Sequence, residues 1–393
     1  MQIYGGLDFF AFMFFLMIPA IICGFLKINM KYYGLLLSLF FTVFFTQSDK
    51  RFIFFLGFFL GEIFLFKTYL YYCKRMGGSK SVNKSIKIAA VFLALLPLFF
   101  LKLGLPILQS KTGFIIDHTN YSFIGYSYLT FKCVQVILGI SDGQIIKMSI
   151  VDFSYFVTFF PTVSSGPIDR SYRFFGDMNK KYEAKAYLNL IGSGLYFIVL
   201  GATYKFVLAS WLDQFMKTIP SSGVLATIKY MYAYGFHLFF DFAGYSLMAV
   251  GTSYFFGIQT PQNFRYPFFS KNIKEFWDRW HITLSHWFRD YLYTRLIMTF
   301  LRKKTFKSRY ATSYTAFFVN MSIMGIWHGI GYNYLLYGIY HALLLILNDI
   351  YERKSSLHKK YKKNALYKFV SIVITFNLVM IGFLIFSGRL IGY

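Results

Sequence analysis

Apolar stretches of about 20 residues follow one another along most of this chain, each long enough to cross the hydrocarbon layer of a membrane as a helix. Lipid offers no partner for a backbone amide, so a chain of this kind must close its hydrogen bonds within helices. The predicted fold class is therefore all-α, a polytopic membrane protein. Composition agrees, with 56% hydrophobic and only 15% charged residues, far from a soluble globular profile. Residues 8–26 start at Asp8 and lack a basic n-region or an Ala-x-Ala site. They read as a first membrane helix and not as a cleaved signal.

Spans are expected near 7–26, 32–47, 52–72 and 86–108, the last kinked at Pro97 and Pro106. Two stretches, 121–140 and 148–163, precede a basic loop, and one of them is expected to be re-entrant so that this loop stays on the inner side. Long helices near 186–217 and 222–257 follow, then spans at 311–330, 334–350 and 369–388. This amounts to about 10 to 12 crossings plus re-entrant or interfacial helices. The whole chain reads as one membrane-embedded domain, with peripheral helices over 1–150, a core over 151–350, and a basic loop with the last span over 351–393.

The net charge of +25 does not indicate nucleic acid, because Lys and Arg gather in short loops between spans, as the positive-inside rule describes. Lys74, Arg75, Lys80, Lys84 and Lys87 mark the first such loop. Counting back three spans places the N-terminus outside. Loops of this kind meet anionic headgroups and can recruit an acidic soluble partner. Cys23, Cys73 and Cys133 are isolated in apolar surroundings, without metal-ligand spacing or an evident pairing.

Residues 275–295 stand apart. Trp277, Trp280, Leu284, Trp287 and Tyr291 recur at intervals of three and four, which predicts one helical stripe. Glu275 and Arg279 are spaced to pair, as are His286 and Asp290. Six formal charges, on Glu275, Asp278, Arg279, Arg289, Asp290 and Arg295, would together cost roughly 15 kcal/mol or more near a bilayer centre. The segment must lie at the interface or be walled in by protein. Asp241, within a membrane-length stretch, needs a partner or must be neutral, and His237 at i−4 is one candidate.

The second chemical centre is Met324–Gly331, where His328 follows Trp327 and precedes Gly329 at the end of a span. Taken alone, His328 is more readily a packing histidine. Its combination with His281 changes the reading, since each of the two sits beside a tryptophan in the least lipid-compatible parts of the chain. His281 and His286 are five apart and share no helix face, so a zinc pair is not indicated. No nucleophile elbow, phosphate-cradling loop or dinucleotide fingerprint is present. Imidazole acting as a general base, or positioned to hydrogen-bond, is the most economical chemistry.

Glu275–His281, continuing through Trp287–Tyr291, resembles the signature of the membrane-bound O-acyltransferase (MBOAT) superfamily, as does Gly325–Gly329 with its histidine. Ser165–Gly166–Pro167 and Gln262–Asn263–Phe264 extend the likeness. Pro161–Arg170, Leu347–Asn348–Asp349 and the run from Thr294 into a basic stretch resemble the DltB family of D-alanyl transferases of Gram-positive bacteria more than the alginate O-acetylases. That resemblance implies a soluble, acidic D-alanyl carrier protein whose phosphopantetheine thioester is presented at the cytoplasmic face, with no cofactor resident in the membrane protein. It implies D-alanine passing to lipoteichoic acid at the outer face of the cell membrane, directly or through a small membrane partner. The functional histidines of the family fall on His281 and His328. Trp277, Asp278, Arg279, Ser285, Asn263 and Trp327 become candidates for a substrate tunnel, with Asp278 as an orienter of His281. Arg302, Lys303, Lys304 and Lys307 become candidates for the carrier interface. A transporter or flippase of an envelope precursor, and an O-acetyltransferase of an extracellular polysaccharide, are the competing readings.

Overall fold

Residues 4–46, 49–104 and 125–391 are described by the structure, a computed structural model of the chain. Among them there are only helices, turns and loops. Seventeen α-helices run in order: α1 (Leu7–Phe25), α2 (Lys31–Thr46), α3 (Asp49–Arg75), α4 (Lys84–Phe99), α5 (Tyr126–Ser141), α6 (Ile150–Thr158), α7 (Ser171–Met178), α8 (Ala184–Ala202), α9 (Ser210–Lys217), α10 (Val224–Phe255), α11 (Ile273–Trp277), α12 (Ile282–Phe288), α13 (Thr294–Arg302), α14 (Arg309–His328), α15 (Tyr332–Lys354), α16 (Ser356–Tyr361) and α17 (Ala365–Phe386).

Among the described residues, five helical rods are long and apolar enough to cross a membrane: Lys50–Arg75, Lys84–Lys102, Ala184–Lys217, Tyr332–Lys354 and Ala365–Phe386. Phe9–Phe25 and Lys31–Thr46 are shorter apolar helices. The rod from Ala184 to Lys217 stays continuous through a π-helical stretch, Thr203–Ala209. At the Pro97 kink expected from sequence, α4 gives way to a π-helical turn, Phe100–Gly104. Pro106 and the beginning of the 121–140 stretch lie outside the described residues.

The chain divides into two compact units, Met1–Leu200 with Tyr245–Pro261, and Gly201–Gly244 with Gln262–Tyr393. In the first unit α5 is buried along its length from Tyr128 to Ser141. Lys132 lies at its middle, and its Nζ donates to the carbonyls of Phe156 (3.1 Å) and Val157 (3.4 Å) and to Thr162 Oγ1 (3.2 Å). These carbonyls belong to the last turn of α6, which has no intrahelical donors left, so the buried ammonium acts as a cap. At nine residues α6 is too short to span, and a capping box from Ser149 and Asp152 starts it. The motif after it is held by Arg173, which pairs with Asp169 and with Asp177 (2.6 Å) and donates to Gln259 O (2.5 Å).

In the second unit α14 and α15 form a tight antiparallel hairpin. A Cβ on Gly338 would strike the Met321 carbonyl oxygen, and one on Gly325 would strike that of Tyr334. Backbone meets backbone there, and neither side can yield. Gly338→Ala is therefore expected to cost about 1–3 kcal/mol, seen as a lower thermal midpoint of the detergent-purified protein; an unchanged midpoint would mean the helices can part. α17 closes on α15 through Asn333 Nδ2 to Phe386 O (2.8 Å) and Tyr340 Oη to Leu378 O (2.9 Å). Asp241 pairs with Lys205, and His237 Nδ1 instead meets Ala209 O at 3.0 Å. Lys205, and not the candidate His237, is thus the partner of Asp241: the π-helical stretch brings a cation to it that sequence spacing could not show.

Candidate active site

Both histidine motifs fall in the second unit. The single helical stripe expected over 275–295 is not formed. α11 stops at Trp277, a turn covers 278–281, α12 starts at Ile282, and π-helical Arg289–Tyr293 leads into α13. His281 has φ +43, the left-handed region, and stands at the N-cap of α12. Two backbone bonds to the preceding connector stabilise the break, Arg265 N to Arg279 O (3.0 Å) and Ile282 N to Asn263 O (2.9 Å). Periodicity records only local preference, and here tertiary pairing overrides it.

The break turns the two neighbouring aromatic and imidazole groups to different jobs. Trp280 is wedged among Phe264 (5.0 Å between centroids), Phe276 (5.6 Å) and Phe383 (4.8 Å). His281 lies edge-on to Phe242 at 4.6 Å and is only 3% exposed. Its side chain makes no capping bond to α12, and Nε2 is buried without a hydrogen-bond partner. Burial, and then the field of His328, push its pKa well below the ordinary imidazole value. Burial therefore favours the uncharged form of His281, and His328 adds to that.

His328 is the last residue of α14 and is half-buried. Trp327 (4.7 Å), Phe386 (5.1 Å) and Tyr337 (6.3 Å) surround its ring. The helix ends there because Gly329 is extended, and a Cβ at Gly329 would collide with the Tyr334 ring. An imidazole set at such an end can reach a substrate without carrying its helix along.

The other expected residues have separate placements. Arg279 pairs with Glu275 at 2.5 Å, as its spacing predicts. Arg289 pairs with Asp290 at 3.0 Å. Ser285 Oγ donates to Trp280 O at 3.1 Å, bracing the turn. Trp277 is buried with its Nε1 unpartnered. Asp278 is exposed at the end of α11, and no hydrogen bond joins it to His281, so this geometry lends no support to the orienting role expected for it. Asn263 Oδ1 accepts from Thr283 N (3.3 Å) and Thr283 Oγ1 (2.6 Å). Arg302, Lys303, Lys304 and Lys307 are all exposed; Arg302 ends α13, a helix that buries none of its residues, and the three lysines follow it.

Sequence reading missed His341 of α15. It is fully buried, edge-on to Trp277 (5.1 Å) and Tyr337 (4.5 Å), and neither ring nitrogen has a partner. Nothing local marks it; only its apolar setting on a membrane-length helix could have drawn attention.

One buried imidazole and one half-buried imidazole, each packed against aromatic rings, suit proton transfer from a hydroxyl out of water. Residues 137–387 match the model of the membrane-bound O-acyltransferase family, and the chain belongs to that family: it is a multi-pass membrane acyltransferase. Among curated relatives it is similar to the teichoic acid D-alanyltransferase of Bacillus subtilis strain 168, 37% identical over 392 residues and 98% of each chain. It is similar also to the protein of that name from Streptococcus thermophilus, 37% identical over 405 residues, 98% of this chain and 95% of the other. A "Probable alginate O-acetylase AlgI" of Pseudomonas putida is 32% identical over 283 residues, 70% of this chain and 54% of its own length.

Proposed function

We propose that this protein transfers D-alanine from the phosphopantetheine thioester of a soluble carrier protein at the cytoplasmic face to teichoic acid at the outer face. The observation that carries the chemistry is the pair of imidazoles, buried His281 and half-buried His328. The near full-length likeness to two teichoic acid D-alanyltransferases supports the substrate. Likeness to an alginate O-acetylase covers a smaller share and favours the polysaccharide reading less.

In this mechanism the acceptor hydroxyl attacks the thioester carbonyl while His328 takes its proton. The new C–O bond forms, the C–S bond breaks, and the proton returns to the departing sulfur. His281 holds the reactants in line. The aromatic wall keeps water from competing for the acyl group. Vesicles containing the purified protein, given carrier protein loaded with labelled D-alanine, should convert the label to an alkali-labile ester on teichoic acid. Label that stays on the carrier would contradict the reading.

Two further expectations follow from charge. Arg302, Lys303, Lys304 and Lys307 lie together on the exposed side, where they can steer an acidic carrier. Replacing all four with Ala should slow association at low ionic strength, with the difference fading as salt rises. Unchanged association at low salt would remove them from the interface. The broken segment 273–302 should also enter and leave from the cytoplasmic side. Single cysteines at Lys274 and Lys303 should then label from the same side with an impermeant reagent, and labelling from opposite sides would overturn that topology.

A further inference from the structure

Asn263 is held at one end and unused at the other. Its backbone carbonyl accepts Ile282 N at 2.9 Å, and its Oδ1 accepts both Thr283 N and Thr283 Oγ1. An amide N–H can only donate, so the oxygen of the carboxamide must face Thr283. That fixes Nδ2 on the opposite side of the group. Asn263 is 1% exposed, and Nδ2 is buried without a hydrogen-bond partner. His281, the residue before Ile282, presents a second buried and unpartnered nitrogen, Nε2.

Holding the start of α12 does not require this donor. The two bonds from Thr283 and the backbone bond from Ile282 use only acceptors of Asn263. A buried donor left unmade costs about 1–3 kcal/mol. The oriented amide therefore calls for a use beyond capping, and a reaction at a carbonyl supplies one.

We propose that Asn263 is a catalytic residue whose Nδ2–H donates a hydrogen bond to the acyl carbonyl oxygen as it becomes an oxyanion; this rests on the acyl-transfer reading above. When the acceptor oxygen bonds to the carbonyl carbon, the C=O π pair moves onto the oxygen. Asn263 Nδ2–H meets that charge while imidazole holds the hydroxyl proton. As the C=O re-forms, the C–S bond breaks and the sulfur leaves with the proton. A donor fixed in advance needs no reorganisation at the moment charge develops, which is why such groups are effective in a dry site. Thr283 is the positioning residue that aims it.

Asn263→Asp keeps the oxygen that accepts both bonds from Thr283 and deletes the donor. In the purified full-length protein, with D-alanyl carrier protein as donor, it should lower kcat by about 10²–10³-fold. KM for the carrier should change little, while the thermal midpoint falls because a carboxylate replaces a 1% exposed amide. Asn263→Ser, a neutral residue that also caps well, tests the same point without a buried charge or if the aspartate variant is unstable. If both variants keep a kcat within a few-fold of the parent, Asn263 is a cap only and the proposal is overturned. A parent protein that transfers no D-alanine at all would overturn the functional reading instead.

Discussion

His328→Ala should leave a folded protein that binds its carrier normally and transfers D-alanine about 10²–10⁴-fold more slowly than the parent. The size follows from the role, since a positioned base that takes a proton in the transition state contributes roughly that much. Folding should be preserved because His328 ends its helix and is half-buried, and the hairpin beneath it is set by Gly325 and Gly338. Rates should be measured with saturating carrier, alongside the thermal midpoint and carrier affinity. A well-folded His328→Ala protein that works at near the parent rate would remove His328 as the base.

His281→Ala is expected to be nearly as damaging, by about 10²-fold, through misplacement of a reactant. Its left-handed backbone adds a second effect. With φ +43, alanine at this position carries strain of order 1–3 kcal/mol that asparagine tolerates better. His281→Asn should therefore be better folded than His281→Ala while remaining slow. Comparing the two by thermal midpoint and kcat separates the imidazole from the turn. Equal stability with parental rates in both would contradict the assignment.

Much of this was legible from the residues. Apolar lengths foretold α1 to α3 and the hairpin and final helix of the second unit, because bilayer thickness sets span length directly. The Glu275–Arg279 pair was legible too, since four-residue spacing survives in the turn that follows α11. What failed was the continuity of 275–295. The Trp stripe satisfies a helical period, yet Asn263 and Arg265, many residues upstream, bond into it and break it at His281. Lys205 was hidden as the partner of Asp241 for the same reason. His341 and the unused end of Asn263 were invisible because both depend on which atoms lack partners, a property of packing and not of spacing.

Acyl transfer is expected to run through the imidazole at the end of α14. A single-turnover experiment tests it most directly, using excess purified protein, carrier loaded with labelled D-alanine, and teichoic acid in the same vesicles. In the parent protein, thioester loss and ester gain should match in time and amount. In His328→Ala both should slow together, while His358→Ala, altered in the short helix α16 outside both histidine motifs, should keep the parental time course. Ester formation at the parental rate without His328 would contradict the account.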